Sequence, residues 1–549
     1  MKKRIIKHVV MLAIILMILT FSLTSFVALS QGPTSNPQYT LIDDFYDFVD
    51  TIEEYSNAES DMVILVDDIP INEEIVIPTN MFGKTLTITG VKDDVSSRLI
   101  RSTLGNLFTV EDGARVIFKN ITVDGNAGDF FDDDGGSLIY VLDGGELILG
   151  SSAILCNNNA STGGGVYNSG LTVMIGGTIS NCFASGVNDN QSYPFYFVGG
   201  GGIFNEGELI IDGGSIYDCS TDFYGGGVFN TGMMTFLEGM ISHCKADNRN
   251  GGGIYNSMGI LTIDGGIITA CSASCGGGVA NEYDSNLEIV VSTGIDTIIN
   301  SEFIFHNGLI DNCYSYLGGG IYNTGDAYIN GGIISDCSAM SGGGIFSECN
   351  YSGPPSANRT TVAHLARLFF ISGLITKCTT YITSEDGPSF VEGRGSAIYS
   401  DGPTHIVNGK MIDNPAYFSY FVVVISRSAA PYATMTLEEF YLMFPVESMR
   451  LTKPIYIDYH SVYEYYSSNS SMMSTDRIYL PDVCWNTFTY ARNAIEELPV
   501  KIVEVREVFT PNVTPGMIIG QWPIPGYIDI PPEGRTINLS IYLSTNSLD

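Results

Sequence analysis

Few residues of this chain have the types and spacing that enzyme chemistry needs. Hydrolysis of a polysaccharide requires two carboxylates, one as an acid and one as a base or nucleophile, and a lyase uses acidic Ca²⁺ ligands with a basic residue. The densest acidic group lies in a glycine-flanked segment that holds Asp129, Asp132, Asp133 and Asp134. A solvated turn explains this group better than a Ca²⁺ site, because no supporting ligand pattern accompanies it.

The other candidates for acid, base or metal chemistry are isolated. Asp212 and Asp264 each precede a Gly-Gly pair and are typical turn residues. No nucleophile motif, phosphate loop or dinucleotide fingerprint is present. The six histidines form no metal-ligand spacing: His8, His243, His306, His364, His405 and His460. The sequence therefore predicts no catalytic residue, no cofactor and no metal site.

Cysteine is the one reactive residue that recurs at regular intervals. In an exported protein such a series suggests disulfide bonds, and equivalent residues of adjacent repeats would lie within bonding reach. One cysteine per repeat on an inward face fits a small apolar filler better, so we predict reduced packing cysteines, with disulfides as the alternative. The series is Cys156, Cys182, Cys219, Cys244, Cys271, Cys313, Cys337 and Cys378.

An asparagine also recurs once per repeat. Stacked on one another, such side chains form an amide ladder that satisfies buried polar groups, which we favour over a row of ligand-binding residues. The series is Asn168, Asn205, Asn230, Asn256, Asn281 and Asn323.

Both series belong to an internal repeat with a period of about 25 residues, within the range of solenoid proteins. The clearest copy is GGGIYNSMGILTIDGGIITACSAS. Copies begin at Gly163, Gly200, Gly225, Gly251, Gly276, Gly318 and Gly342, and a degraded copy begins at Gly395.

Each repeat contains three short alternating segments, Ile-Tyr-Asn, Leu-x-Ile and Ile-x-x-Cys. A period of two predicts strands, and glycine pairs end them where a positive φ is needed. We therefore predict a mainly β fold: residues 61–430 form a parallel β-helix in which three strands and three turns make one triangular coil. A propeller blade would need longer strands and about 40 residues per repeat.

The pattern continues upstream of the repeats. Within residues 31–60, the segment Leu41–Asn57 has apolar residues at helical spacing and predicts an amphipathic helix that caps the first coil. Predicted strands are Met62–Val66, Thr85–Ile88, Leu107–Val110 and Arg115–Ile121, with a turn at Asp124-Gly125-Asn126. Insertions predicted to leave the coil corners as loops are Gly186–Phe197, Glu282–Phe303 and Tyr351–Ala366.

The repeat signature ends near residue 430. Residues 431–477, with the Tyr- and Ser-rich Ser461–Thr475, are predicted to be a final coil or a linker. In residues 478–549 we predict a helix from Thr487 to Leu498 and strands near Lys501–Arg506, Met517–Gln521 and Thr536–Leu543. The predicted buried face of that helix is Phe488, Ala491, Ala494, Ile495 and Leu498.

The segment Ile478–Ser544 resembles a PASTA domain. The motifs that carry the resemblance are Leu480-Pro481-Asp482-Val483, the run Pro515–Gln521, Pro523, Gly526 and Gly534 before a closing strand. Pro499 departs from the family, which has glycine after the last helical leucine. The resemblance implies a small α+β domain that binds muropeptides or unlinked peptidoglycan in a cell wall.

The repeat region resembles the right-handed β-helix of pectin-lyase-like proteins, and its unit is most similar to adhesin-like surface proteins. The Gly-His-Gly and Arg-x-Lys motifs of enzymes with this fold are absent from the sequence. Because enzymes and non-enzymes share the fold, the resemblance implies architecture and leaves the chemistry open.

The amino-terminal residues predict export. A basic start and the apolar run Val9–Leu19 make residues 1–30 a signal peptide cleaved before Gln31; an uncleaved anchor is the alternative, because Phe21–Leu29 is also apolar. We expect no stable membrane span after its removal. The net charge of -35 disfavours nucleic acid and polyanionic partners.

Together these features predict a secreted, cell-surface or cell-wall protein without catalytic activity. Its β-helix is expected to act as an adhesin-like stalk or binding face for a host or environmental glycan or protein. The PASTA-like module is expected to bind peptidoglycan or muropeptides. The alternative function is a polysaccharide lyase or glycoside hydrolase built on a β-helix with a wall-docking module.

Overall fold

The chain folds mainly into parallel β-strands that stack in long sheets, as in a β-helix. The computed structural model describes residues 39–91, 97–130, 135–186, 198–283, 301–348, 366–381, 395–400, 404–406, 410–412, 414, 423–426, 456–457, 463–465, 477–480, 487–496, 498, 500–509, 516, 518–522, 526–529 and 537–545. One sheet has 24 strands and another has 13. Among these residues, none of the helices is a candidate transmembrane segment.

Each coil of the stack contributes strands to three faces. The first face is made by Tyr39–Ile42, Met62–Val66, Leu86–Gly90, Arg115–Lys119, Glu146–Leu149, Leu171–Met174, Asp326–Ile329, Arg367–Phe370 and Thr404–Ile406. The second face is made by Ile69–Ile71, Arg98–Arg101, Ile121–Asp124, Ala153–Ala160, Thr178–Ala184, Ile333–Ser335, Leu374–Thr376, Lys410–Ile412 and Tyr456–Ile457. Four longer strands run through both faces: Glu208–Tyr217, Met233–Ser242, Ile260–Thr269 and Glu302–Asp311.

The third face is the 13-stranded sheet. Its strands are Ile75–Ile77, Phe108–Val110, Ile139–Val141, Val166–Asn168, Ile203–Asn205, Val228–Asn230, Ile254–Ser257, Val279–Glu282, Ile321–Asn323, Ile345–Ser347, Ile398–Ser400, Val423–Ser426 and Tyr463–Tyr465. Within the repeats every pair keeps the same register; for example, Asn230 lies opposite Asn256. A constant register places equivalent side chains of successive coils directly on one another.

The coils contain one strand more than the sequence predicted. After the repeated cysteine a fourth, two-residue strand forms at Ser220–Thr221, Lys245–Ala246, Ser338–Ala339 and Thr379–Thr380. The prediction missed these strands because two residues are too short to show an alternating pattern. Their inward residues are small, as at Ala246 and Ala339, which are both buried.

The triple glycine before each third-face strand combines two separate requirements. The first glycine has a positive φ, from +62° at Gly163 to +76° at Gly251. The third glycine lies against the core: a Cβ on Gly227 would be 2.6 Å from the Gly253 carbonyl oxygen and 2.8 Å from Ile241 Cγ2. The degraded copy keeps the first glycine, Gly395, at φ +64°.

The amino-terminal helix is present but shorter than predicted. It covers Phe45–Tyr55, whereas Tyr39–Ile42 forms a strand parallel to the first coil. The helix begins late because the Asp44 carboxylate caps it, accepting hydrogen bonds from the backbone N–H groups of Tyr46 and Asp47. Its four buried residues, Phe45, Phe48, Ile52 and Tyr55, belong to the continuous core of the coils.

The predicted strands before the repeats are present with adjusted bounds. Met62–Val66 is as predicted, and the segment Arg115–Ile121 is two strands, because Asn120 adopts a φ of 48° between Lys119 and Ile121. The predicted insertion Glu282–Phe303 is too long at both ends: Glu282 closes one strand and Glu302 opens another. The remaining parts of the three insertions lie mostly outside the described residues.

Residues 431–477 include two strands that continue the stack. Tyr456–Ile457 pairs with the second face and Tyr463–Tyr465 with the third face, both in parallel. This pairing is the arrangement of a further coil, and it places strand structure inside the predicted Tyr- and Ser-rich linker.

The carboxy-terminal residues contain one helix and five strands among those described. The helix is Phe488–Ile495, capped by Thr487, and it buries Ala491 and Ile495, whereas Phe488 in its first turn is exposed, contrary to the prediction. Val500–Phe509 pairs in parallel with Ile537–Thr545, which pairs antiparallel with Ile518–Trp522. Arg477–Leu480 and Gly526–Asp529 form a separate antiparallel pair.

Replacing the third glycine of a repeat should destabilise the stack. We expect Gly227→Ala to cost about 1–3 kcal/mol, because the added methyl group meets backbone and a packed isoleucine. The measurement is the thermal unfolding midpoint followed by circular dichroism. Gly128→Ala is the control, since nothing lies within 4 Å of a Cβ at that turn position. Equal midpoints for the two variants would contradict the prediction.

Candidate functional site

The repeated asparagines form a continuous amide ladder inside the coils, as predicted. Asn168 Nδ2 donates to Asn205 Oδ1 at 2.6 Å, and all six side chains are fully buried. Each amide also donates to backbone carbonyls, as Asn230 does to Gly232 at 3.2 Å. Bonds of 2.7–2.8 Å continue the ladder from Asn205 to Asn230, Asn256, Asn281 and Asn323.

Both ends of the ladder are closed by hydroxyl groups. Thr172 Oγ1 donates to Asn168 Oδ1 at 2.8 Å, and Asn323 Nδ2 donates to Ser347 Oγ at 3.1 Å. The amide groups are therefore satisfied within the protein, and the series has a structural role.

Seven of the eight predicted cysteines form one column on the inner side of the second face. Strand pairing places them there. Tyr217 lies opposite Ser242, and Cys219 and Cys244, each two residues later, follow the same register. Cys156 was assigned to this column wrongly, because it lies opposite Ser180. The column position in that coil is taken by Asn158, which lies opposite Cys182.

Asparagine closes the cysteine column at both ends. Asn158 Nδ2 donates to the Gly164 carbonyl at 2.7 Å, and its Oδ1 accepts from Arg101 Nε at 3.1 Å. Burial lowers the pKa of Arg101 to about 10. At the other end, Asn414 Oδ1 accepts from the Cys378 backbone N–H at 2.9 Å.

The column thiols are packed rather than reactive. Cys244 Sγ donates to the Ser242 carbonyl at 3.3 Å and contacts the Ile216 carbonyl of the preceding coil at 3.7 Å. Burial raises the pKa of Cys219 and Cys244, which suppresses the nucleophilic thiolate. All nine described cysteines are free thiols, eight of them buried, as the packing interpretation predicts.

His243 is a turn residue. It belongs to a series that immediately precedes the column cysteines and adopts a left-handed backbone conformation, with φ of 54° at His243. This conformation turns the chain from the second face into the short fourth strand. The series is Asn181, Asp218, His243, Ala270, Asn312, Asp336 and Lys377.

The other predicted candidates are dispersed. Asp129 accepts from Asn126 Nδ2 at 3.1 Å within its turn, while Asp132, Asp133 and Asp134 lie outside the described residues. His306 is exposed, with Nδ1 at 3.4 Å from Asn330 Nδ2. His405 lies in a first-face strand, and His8, His364 and His460 lie outside the described residues.

The turn aspartates stack beside other acidic or polar residues. Asp212 lies opposite Glu238, and Asp264 lies opposite Asn307. Burial and the neighbouring Glu238 carboxylate raise the pKa of Asp212. Both residues lie within long strands rather than in separate turns, at register shifts where the strands pass from the first face to the second.

Two glutamates that sequence reasoning missed lie on the outer side of the third face. Glu282 Oε2 accepts from Tyr255 Oη at 3.0 Å, and Glu282 Oε1 accepts from Asn250. Glu348 accepts from Tyr322 in the same manner, from the coil before it. Both glutamates directly follow the third position of the Ile-Tyr-Asn segment, where four other repeats have Ser or Thr and one has Glu206; the acidic residue at this position was the available signal.

These two Tyr–Glu pairs share one electrostatic environment. Burial raises the pKa of Tyr322, and the carboxylates of Glu348 and Glu282 raise it further. Burial also raises the pKa of Glu348. Burial raises the pKa of Cys275 as well, and the Glu282 and Glu348 carboxylates raise it further. The tyrosines therefore remain proton donors, and Glu348 has the raised pKa that a general acid requires.

A second apolar cluster surrounds these pairs. Third-face strands point their middle residue outward, and from Phe204 onward these residues pack together, with Phe204 and Phe229 in edge contact at 5.0 Å. The members are Phe204, Phe229, Tyr255, Ala280, Tyr322, Phe346 and Tyr399. The Glu282 and Glu348 carboxylates thus bind hydroxyl groups at the margin of a packed aromatic column.

A shallow acidic groove of about 530 Å³ runs along the corner between the third and first faces. Asp143, Glu146, Glu206 and Glu208 line it with glycine backbone. Arg115 forms an ion pair with Glu146 at 2.7 Å. Among the residues that the structure describes, no three His, Cys, Asp or Glu side chains are arranged to hold a metal ion.

No protein-family model matches the chain, and comparisons with curated proteins and with solved structures give no significant match.

Interrupting the amide ladder should lower stability sharply. Asn256→Ala removes the acceptor of Asn230 and the donor to Asn281, so two buried groups lose a partner at a cost of about 1–3 kcal/mol each. The measurement is the thermal unfolding midpoint. Asn248→Ala is the matched control, because Asn248 is exposed. A change no larger than that of the control would contradict the structural role of the ladder.

The column thiols should be protected until the coils unfold. We expect an alkylating reagent at neutral pH to leave Cys219, Cys244 and Cys271 unmodified in the native protein, because they are buried and protonated. After denaturation without reductant the same residues should be modified, as peptide mass spectrometry can show. Modification that requires prior reduction would instead establish disulfide bonds.

Proposed function

We propose that the chain is an exported, non-catalytic surface protein whose β-helix is a rigid stalk or binding face held to peptidoglycan by its carboxy-terminal module. One observation carries the proposal: the polar and thiol groups that recur in successive coils act inside the stack. The asparagines bond to one another, and the cysteines contact backbone carbonyls. The repeats are thereby explained as a scaffold.

The outward residues support a role for the β-helix as a binding surface. On the first face the inward positions stay apolar from coil to coil, as in Leu209, Met234 and Leu261, all buried. The residue that precedes each of them points outward and changes from coil to coil, from Glu208 to Met233 to Ile260. A constant interior with a variable exterior is typical of a solenoid that offers an extended binding surface.

The anchoring role rests on the carboxy-terminal residues. The helix Phe488–Ile495 precedes the parallel pair of Val500–Phe509 and Ile537–Thr545, with Ile518–Trp522 at the other edge. This order of helix and strands fits the PASTA resemblance of the sequence motifs. Together with the amino-terminal export signal, it supports a location at the cell wall.

The finer architecture is part of the same proposal. Parallel strands joined by crossovers are right-handed in about 98% of cases, which supports a right-handed β-helix of the pectin-lyase-like type. The adhesin-like assignment rests on the Gly-Gly-Gly-Ile-Tyr-Asn repeat.

The anchor is tested by sedimentation with purified peptidoglycan sacculi. The whole chain should co-sediment, and a variant that lacks residues 478–549 should remain in the supernatant. Gly128→Ala is a matched control that should co-sediment like the parent chain. Equal sedimentation of the deletion variant would refute the anchor.

A second candidate function is glycoside hydrolysis at Glu282 and Glu348. The observation that favours it is that burial raises the pKa of Glu348 and that the Glu282 and Glu348 carboxylates both act on Tyr322, so an acid and a candidate base or nucleophile flank one tyrosine. Release of new reducing ends from neutral polysaccharides, abolished in both Glu282→Gln and Glu348→Gln, would establish the enzyme. No release from neutral or acidic polysaccharides supports the non-catalytic proposal.

A further inference from the structure

Three tyrosines, two exposed and one partly buried, cluster where the chain follows the column cysteines: Tyr314, Tyr316 and Tyr381, here called the tyrosine platform. Tyr314 lies opposite Ser272 of the preceding coil and Ser338 of the following one. Ser315, between the first two tyrosines, is fully buried, so the alternation directs both rings outward. Tyr314 is 47% exposed and Tyr316 is 53% exposed.

The platform is held in place by its own contacts. The ring of Tyr381 stacks on that of Tyr314, with centroids 5.3 Å apart and an angle of 11° between planes. Tyr381 Oη donates to the Ser315 carbonyl at 2.9 Å. Tyr381 comes from two coils later, and the small Ser338 stands between its coil and that of Tyr314. Rings ordered in advance lose little entropy when a ligand binds.

The platform is specific to these coils. In three of the coils before it, the same two outward positions carry Ser220 and Asp222, Lys245 and Asp247, or Ser272 and Ser274; in the coil of Cys182 the first position is Phe183. Stability of the fold does not require aromatic rings there, because the polar pairs occupy the same strand positions. An exposed aromatic cluster on a soluble β surface is typical of a recognition site.

The platform is uncharged on a strongly acidic chain. Its neighbours on the outward positions are Ser272, Ser274, Ser338, Met340 and Thr379, none of which carries a charge. Burial and the neighbouring Tyr314 and Tyr316 hydroxyls raise the pKa of Tyr381, so its hydroxyl stays protonated. With a net charge of -35 over the whole chain, a polyanion would be repelled from this face.

We propose that the tyrosine platform binds an uncharged glycan built of pyranose rings. The C–H faces of such rings pack on exposed aromatic faces, while tyrosine, serine and threonine hydroxyls bond to sugar hydroxyls. This inference rests on the proposed function, because it identifies the ligand and the surface by which the β-helix acts as a binding face.

The test is isothermal titration calorimetry of the whole chain with cellohexaose, xylohexaose and, as the anionic arm, hexagalacturonate. We expect a neutral oligosaccharide to bind and Tyr314→Ala/Tyr316→Ala to weaken it about tenfold or more, as loss of aromatic anchors does. Tyr314→Phe/Tyr316→Phe, which keeps the rings, should retain most of the affinity. Tyr46→Ala is the matched control, since Tyr46 is 72% exposed on the amino-terminal helix.

The outcomes separate this inference from the anchor. Absence of neutral-glycan binding, preference for hexagalacturonate, or equal affinity in the double alanine variant overturns the platform. Circular dichroism of each variant establishes that the coils are folded, and the phenylalanine variant keeps the test valid if alanine disturbs them. Failure of sacculus sedimentation with intact neutral-glycan binding overturns the anchor and leaves the platform standing.

Discussion

The hydrogen bond from one asparagine amide to the next is the interaction on which the stack depends. Each bond joins two coils, and both groups are buried, so a coil shifted by one residue would leave donors and acceptors unpaired at every step. The ladder therefore fixes the register of the third face, and the register places every other column. Thr172 and Ser347 supply the bonds that the end residues need, which allows the ladder to stop inside the protein.

The other columns follow from this register. The third glycine of each repeat lies where a side chain would meet the isoleucine and the cysteine of its own core, as Gly227 does beside Ile241 and Cys244. Cysteine suits the position because it is small, apolar and able to donate weakly to carbonyls on two coils. Burial also raises the pKa of Cys219 and Cys244, which suppresses their reactive thiolate form. The recurring polar and thiol groups inside the coils therefore hold the coils together, and the proposed recognition falls to the outward positions.

The outer surface is correspondingly varied. The acidic groove, the Tyr–Glu pairs and the tyrosine platform each arise where the outward residues of a few coils differ from those of their neighbours. Glu282 and Glu348 allow two interpretations. Each accepts a hydrogen bond from a tyrosine of the preceding coil, which is a structural role, and the two carboxylates could also act as an acid and a base. The platform differs, since the Tyr314 and Tyr316 rings are exposed, and of the three described side chains only that of Tyr381 contributes a hydrogen bond between coils.

The sequence by itself determined the repeat, the strands, the asparagine ladder and the amino-terminal helix, because periodicity reports which positions face inward. It could not decide register: Cys156 matched the cysteine spacing, yet strand pairing puts Asn158 in the column. It also missed the two-residue fourth strands and the start of the helix at Phe45, where a capping side chain overrides the apolar pattern. Only the tertiary structure brought Tyr381 onto Tyr314 and Glu348 to Tyr322, because contacts between coils depend on stacking that no local pattern encodes.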